Sequence, residues 1–314
     1  MTPIPIPTPL PDRCFCALHR RRLFSQLLLA GGASGLGGLG GPAQAQQGAA
    51  AGKAAEDAGL RGDVGRESRF TKLVSAEQVE AAAAQQYQQM LREATQKNAL
   101  APANHPQLLR LRAIADRIKP YAMPWNDRAR QWGWEVNLLG SPQINAYCMP
   151  GGKIAFYTGI LAKLQLSDHE VATIMGHEVA HALREHARER MGKTAATRIG
   201  AGVLSALFGL GGAGDALLNM GGQLLTLRFS REDETEADLV GMDLAARAGY
   251  DPGAGVTLWQ KMMSASQGAP PEFLSTHPAG DTRIKDIQAK LPKVQRLFDR
   301  AEKPAREFGP PAKA

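Results

Sequence analysis

Two histidines stand four residues apart in the run Gly176-His177-Glu178-Val179-Ala180-His181-Ala182-Leu183, with a glutamate directly after the first. On an α-helix, four residues turn through about 400° and rise about 6 Å, so His177 and His181 project from one face and can meet a single ion. Imidazole suits Zn2+, and the expected cofactor is one zinc ion per chain. Glu178 is turned about 100° from the first histidine, beside the ion without binding it, where a base for an activated water must stand. The chemistry such a set performs is hydrolysis.

A third ligand is needed. His186 lies nine residues after His177, about 180° around an intact helix, and cannot reach the same ion. The string does not extend as H-E-x-x-H-x-x-G-x-x-H either, because Arg184 and Ala187 stand at the relevant positions. His186 is therefore read as supporting the site or as structural. A better candidate lies in Phe229-Ser230-Arg231-Glu232-Asp233-Glu234-Thr235-Glu236-Ala237-Asp238, where Glu234 and Asp238 share one helical face. Glu234 can complete the ligand set, and Asp238 can hydrogen-bond a ligand histidine and fix its tautomer.

Two helices must position these residues. Ser167-Asp168-His169-Glu170 has the pattern of a capping box, so a helix should start at Asp168 and run through both histidines. Val171, Ala172, Ile174, Met175, Val179, Ala180 and Leu183 make it largely apolar, and polar groups on a buried helix need partners. Ser230 should cap the second helix. Upstream, Ser75 to about Lys97 reads as helix, with Ala81 to Ala84 at its centre. Gln107 to Ile118 reads as another, with Leu108, Leu109, Leu111, Ile114 and Ile118 on one apolar face. Trp134–Leu138, Gln143–Cys148 and Lys153–Tyr157 read as strands, the last two forming a hairpin across Met149-Pro150-Gly151-Gly152. The class is α+β, mainly helical with a small sheet, and the metal site lies between two helices. Lys153–Tyr157 is either an exposed edge that could pair with an extended peptide or an ordinary strand of the sheet.

The balance of 44% hydrophobic and 21% charged residues in 314 allows a full core. Of the net charge of +7, Arg13, Arg20, Arg21 and Arg22 against Asp12 supply +3. No basic cluster remains that would suit nucleic acid. Those arginines open a leader: Arg21-Arg22 precedes the short apolar run Leu27-Leu28-Leu29-Ala30, and Pro42-Ala43-Gln44-Ala45 closes it. This is the pattern of a twin-arginine-like signal peptide, residues 1–45, cut after Ala45, which places the mature chain in the periplasm. Residues 46–74 read as a flexible linker, 75–300 as the domain that carries the site, and 301–314 as a disordered tail. Cys14 and Cys16 would leave with the leader, so Cys148 would be alone and reads as a small buried residue. Residues 199–227 carry one charge, Asp215, and eight glycines. They are too few for two membrane spans, and one span would separate His177 from Glu234 across the bilayer. Two short apolar helices that cover the metal-bearing helix, or make peripheral contact with a membrane surface, fit better.

The chain resembles the HtpX/CAAX prenyl endopeptidase family of zinc peptidases, and within it the soluble periplasmic branch, here without that branch's helical-repeat domain. The resemblance runs from about Ser75 to Leu291. It is carried by Ile144-Asn145-Ala146-Tyr147 with Pro150-Gly151-Gly152, His177-Glu178-Val179-Ala180-His181, and Ser230-Arg231 with Glu234-Thr235-Glu236-Ala237-Asp238. Gly249-Tyr250-Asp251-Pro252 and Ser275-Thr276-His277-Pro278 complete it. The resemblance implies a gluzincin peptidase domain in which Glu234, rather than Glu236, is the third ligand, and a role for His277 near the metal. The expected activity is then zinc-dependent endopeptidase hydrolysis of proteins or peptides, misfolded envelope proteins among them. His277, with Arg283 as the lesser alternative, would donate to the developing oxyanion. His277 could instead occupy the open metal position and keep the enzyme latent. The outer-membrane assembly machinery is a candidate partner. The rivals are a non-catalytic zinc-containing holdase, which would have no use for Glu178, and a metal-dependent hydrolase of a non-peptide substrate.

Overall fold

Side-chain caps set the boundaries of the helices that matter here. In a computed structural model, residues 58–197, 213–266, 271–277 and 282–312 are described, with 213–219 as backbone alone. The leader at 1–45 and residues 198–212 of the apolar stretch lie outside them. Ser75 accepts from the Gln78 amide at 3.3 Å and opens α1 (Ala76–Gln96). Helix α2 (Pro106–Ala122) starts on a proline, whose fixed φ suits the first turn. Its buried face holds Leu108, Leu111, Ile114 and Ile118 as expected, but Leu109 is 46% exposed. Arg110 takes the interior place instead, because its guanidinium meets the Asp168 carboxylate at 2.7 Å and the Leu166 carbonyl at 2.7 Å.

Three strands follow, β1 (Glu135–Leu139), β2 (Ala146–Met149) and β3 (Lys153–Tyr157), in the order β1-β3-β2. The expected hairpin forms: β2 and β3 pair antiparallel, with Cys148 opposite Ile154. Gly151 and Gly152 turn it at φ 82° and 74°, a region that favours glycine, and a Cβ on Gly152 would lie 2.8 Å from the Trp134 ring. Strand β1 runs parallel to β3 on its other side. This corrects the idea of Lys153–Tyr157 as an exposed edge: β3 is central, and β1 and β2 are the edge strands, β1 bridged on its outer side at Leu139 by Leu100.

After α3 (Thr158–Leu164), Ser167 and Glu170 form the capping box of α4 (Asp168–Leu183), with contacts of 3.3 and 2.8 Å. Every residue of α4 except His169 is buried, so the predicted helix is the axis of the core. The left-handed Glu185 (φ 55°) ends that direction, and α5 (His186–Thr197) begins. Next come α6 (Ala213–Thr226), α7 (Arg231–Arg247), α8 (Ala254–Ala265), α9 (Glu272–Thr276) and α10 (Arg283–Arg300). Ser230 and Asp233 cap α7 reciprocally. Helices α4 and α7 touch backbone to backbone: a Cβ on Gly176 would lie 2.7 Å from the Gly241 carbonyl, and one on Gly241 2.7 Å from the His177 amide nitrogen.

Within the apolar stretch, α6 packs along α1, with Met220 buried and Gly221 against Ala82 and Gln86. Among the described residues no helix is long and apolar enough to cross a membrane. Two segments expected to be loose are held. From Leu60 onward the supposed linker packs on the domain: Leu60 is fully buried, and its amide donates to Asp243 at 3.1 Å. The supposed tail returns to the start of α4, where the amides of Phe308 and Gly309 donate to Asp168 at 2.7 and 3.0 Å. The tail is anchored through backbone amides, which side-chain periodicity does not report, and the linker through the buried side chain of Leu60 and the pairing of Asp63 with Lys293, too few to make an apolar period.

Candidate metal centre

His177 and His181, one turn apart on α4, meet Glu234 from the first turn of α7. Their Nε2 atoms lie 3.1 Å apart, and Glu234 places Oε2 3.5 Å from His177 Nε2 and Oε1 3.4 Å from His181 Nε2. His277, just after α9, brings Nδ1 to 3.0 Å from Glu234 Oε1 and 3.4 Å from His177 Nε2. The four donor atoms lie within 4.8 Å of one another, and all four residues are buried. Phe229 stacks on His181 with ring centroids 3.9 Å apart, and Phe273 stacks on His277 at 4.6 Å.

The proton arrangement shows what this cluster suits. Asp238 Oδ1 lies 3.0 Å from His177 Nδ1. A carboxylate only accepts, so Nδ1 carries the hydrogen and Nε2 keeps its lone pair. That lone pair faces the ring nitrogens of His181 and His277 and a carboxylate oxygen, so four groups able to bind a cation converge on one point. Glu178, Glu234 and Asp238 bring three carboxylates against the single guanidinium of Arg283. A divalent cation satisfies both the lone pairs and the charge, so the residues fit one.

Arg283, the first residue of α10, braces the far side. Its Nε and Nη2 donate to Asp238 at 2.6 and 2.7 Å, Nη1 donates to Glu234 at 2.8 Å, and its face lies 3.5 Å over the Trp259 ring. These donors are engaged, and Arg283 is not among the cleft-lining residues, which argues against it as an oxyanion donor. Glu178 is buried, and its Oε1 has no hydrogen-bond partner among the described residues. Burial pushes its carboxyl above the ordinary range. Burial would also raise Glu234 and Asp238, but His181 and His277 outweigh it at the first, Arg283 and His177 at the second, and both are lowered. Burial drives His181 well below the usual imidazole range, which keeps it neutral. At His277 burial acts downward too, but the negative charges of Glu178 and Glu234 prevail and its pKa is raised.

A cleft opens on this centre. Asn145 to Met149 line one side, Leu224, Leu225, Leu227 and Phe229 the other, with Glu178, His181 and His277 between them. Cys148 lines it as a free, buried thiol, and burial pushes its pKa well up, against a nucleophilic role. All seven residues singled out in the sequence, His177, Glu178, His181, Glu234, Asp238, His277 and Arg283, gather here. Sequence reasoning missed Trp259, Phe229 and Glu236. Glu236 was visible as one more acid near Glu234, but nothing local pairs it with His186.

A helix carrying H-E-x-x-H, packed on a second helix that brings a glutamate to the same point, defines a metallopeptidase architecture with one buried ion site. The chain belongs to peptidase family M48, whose sequence profile matches residues 108–291. It is 40% identical over 152 residues to the mitochondrial metalloendopeptidase OMA1 of Arabidopsis thaliana, covering 48% of this chain and 30% of that protein. It is 28% identical over 206 residues to the metalloprotease LoiP of Escherichia coli, covering 65% and 78%. A third relative is the beta-barrel assembly-enhancing protease of Yersinia pestis, 29% identical over 163 residues, covering 48% and 33%. The match spans 30%, 56% and 64% of the length of three OMA1 proteins, from Arabidopsis thaliana, Schizosaccharomyces pombe and Saccharomyces cerevisiae.

Proposed function

We propose that this protein is a zinc-dependent endopeptidase of exported proteins, with His177, His181 and Glu234 as ligands and Glu178 as general base. One observation carries the reading: a buried carboxylate oxygen, without a hydrogen-bond partner among the described residues, stands beside a buried set of nitrogen and oxygen atoms that a cation would satisfy. Zinc held there would make water acidic enough to yield a nucleophile near neutral pH and would polarise a carbonyl. Glu178 takes the proton from the attacking water and passes it to the leaving amine. Asp238 keeps the His177 hydrogen on Nδ1, and Arg283 holds both Asp238 and Glu234 in place. Strand β2 has β3 on one side only, and its residues line the cleft. An extended peptide pairing with that free side would present its carbonyl to the centre through main-chain contacts, which tolerate many sequences. The leucines opposite favour apolar side chains, abundant in unfolded chains.

The Arg21-Arg22 leader supports periplasmic export, and N-terminal sequencing of the secreted protein should find a start at Gln46. Misfolded envelope proteins are then the natural substrates, and a relative named for β-barrel assembly makes the outer-membrane assembly machinery a candidate partner. The decisive experiment is casein digestion with and without a chelator, in wild type and Glu178→Gln. Wild type should digest casein only with its metal, and the variant should keep zinc yet lose hydrolysis. Undiminished digestion by Glu178→Gln excludes it as the base. A zinc-loaded wild type that suppresses aggregation without cutting returns the holdase.

A further inference from the structure

His186 is fully buried, and a buried imidazole needs a partner at each nitrogen. Its Nδ1 lies 2.9 Å from His181 Nδ1, and its Nε2 lies 2.9 Å from Glu236 Oε2. Glu236 is held in turn: Oε1 accepts from Arg184 Nη2 at 2.9 Å, and the same Nη2 donates to the Gly65 carbonyl at 2.7 Å. The contacts run from a metal-facing ring, through a second ring and a carboxylate, to a backbone carbonyl ahead of α1. On a continuous helix His186 would point about 140° away from His181. The left-handed Glu185 ends α4 and folds His186 back onto His181 Nδ1.

Only one proton arrangement along this chain leaves His181 able to bind a cation. Glu236 accepts, so His186 Nε2 carries hydrogen. A neutral His186 then offers a lone pair at Nδ1, and His181 Nδ1 must donate to it. His181 Nε2 keeps its lone pair and faces His177 Nε2 and Glu234 Oε1 at 3.1 and 3.4 Å. We propose that His186 and Glu236 form a positioning relay that fixes the tautomer and ring plane of His181. It is separate from Asp238 and Arg283, which do this for His177. The inference rests on the reading of His181 as a metal ligand.

Two substitutions separate a relay from packing. His186→Phe keeps a ring beside Phe229, 6.3 Å away between centroids, and removes the acceptor. His186→Gln loses the ring and keeps one acceptor and one donor. Zinc affinity is measured by competition with a chromophoric chelator, alongside the visible spectrum of the Co2+-loaded protein and the melting temperature of the metal-free protein. His186→Phe should weaken zinc binding about 10–100-fold and shift the Co2+ bands while the metal-free protein melts as wild type does. His186→Gln should recover most of the affinity. Wild-type affinity in His186→Phe overturns the relay, as does an equal loss in both variants together with a lower metal-free melting temperature. Because these readouts are independent of proteolysis, a wild type that binds zinc tightly and leaves casein whole refutes the peptidase reading alone.

Discussion

Glu178 and His277 face each other across the cleft, with His277 Nε2 3.6 Å from Glu178 Oε1. The other nitrogen of His277 lies among the donor atoms, 3.0 Å from Glu234 Oε1, where it can take a corner of the ion that water or substrate needs. The same ring could instead donate to an oxyanion, and removing it separates the two roles. With Nδ1 turned to the ligand set, the expected outcome for His277→Ala is faster casein turnover. A cap worth about 1.4 kcal/mol would release about tenfold in kcat/KM. Abolished turnover would assign the oxyanion role, and unchanged turnover would exclude both. At this scale the sequence was informative where spacing and geometry coincide: His177 and His181 are linked by helical period, and so are Glu234 and Asp238. The pairing of His186 with Glu236 was not legible, because it depends on a left-handed residue at position 185 and on a contact across 50 positions.

The helices were legible where a cap announces them. Ser167 with Glu170 and Ser230 with Asp233 mark the first turns of α4 and α7 as the sequence leads one to expect. The inward turn of Arg110 was not legible, since its partner Asp168 stands 58 residues away. Nor does a short motif reveal how close two helices will come. Gly176 and Gly241 let the backbones of α4 and α7 touch at His177, and this approach sets the span between the imidazoles and Glu234. Gly241→Ala would force a methyl group to 2.7 Å from the His177 amide nitrogen, and backbone cannot step aside as a side chain can. The helices must separate, at a cost of about 1–3 kcal/mol. Zinc affinity should fall in parallel, because the metal then has to draw the helices together. Thermal melting and zinc competition on the variant check both effects, and an unaltered affinity beside a lowered melting temperature would show that the site tolerates the separation.

Across the whole molecule, the parts hardest to read in advance are the two ends of the domain. Neither the stretch before α1 nor that after α10 has an apolar period, yet each is tied to a helix that carries the site. Leu60 reaches Asp243 on α7, and Phe308 and Gly309 reach Asp168 at the start of α4. Asp168 therefore serves two partners, the buried Arg110 at 2.7 Å and the returning chain. Removing its carboxylate leaves Arg110 charged and unpaired in the core, which typically costs about 3–5 kcal/mol. Truncation before Phe308 leaves the ion pair intact and removes three part-buried hydrogen bonds among the described residues, the two to Asp168 and one from Gln165 to the Pro311 carbonyl, about 0.5–1.5 kcal/mol each. Asp168→Ala should thus lower the melting temperature much more than truncation does. Asp168→Ala should open residues 302–312 to proteolysis, and truncation residues 302–307, because both lose the contacts of the Phe308 and Gly309 amides. If truncation destabilises as much as Asp168→Ala, the returning chain rather than the Arg110 pair is the main support of the N-terminal end of α4.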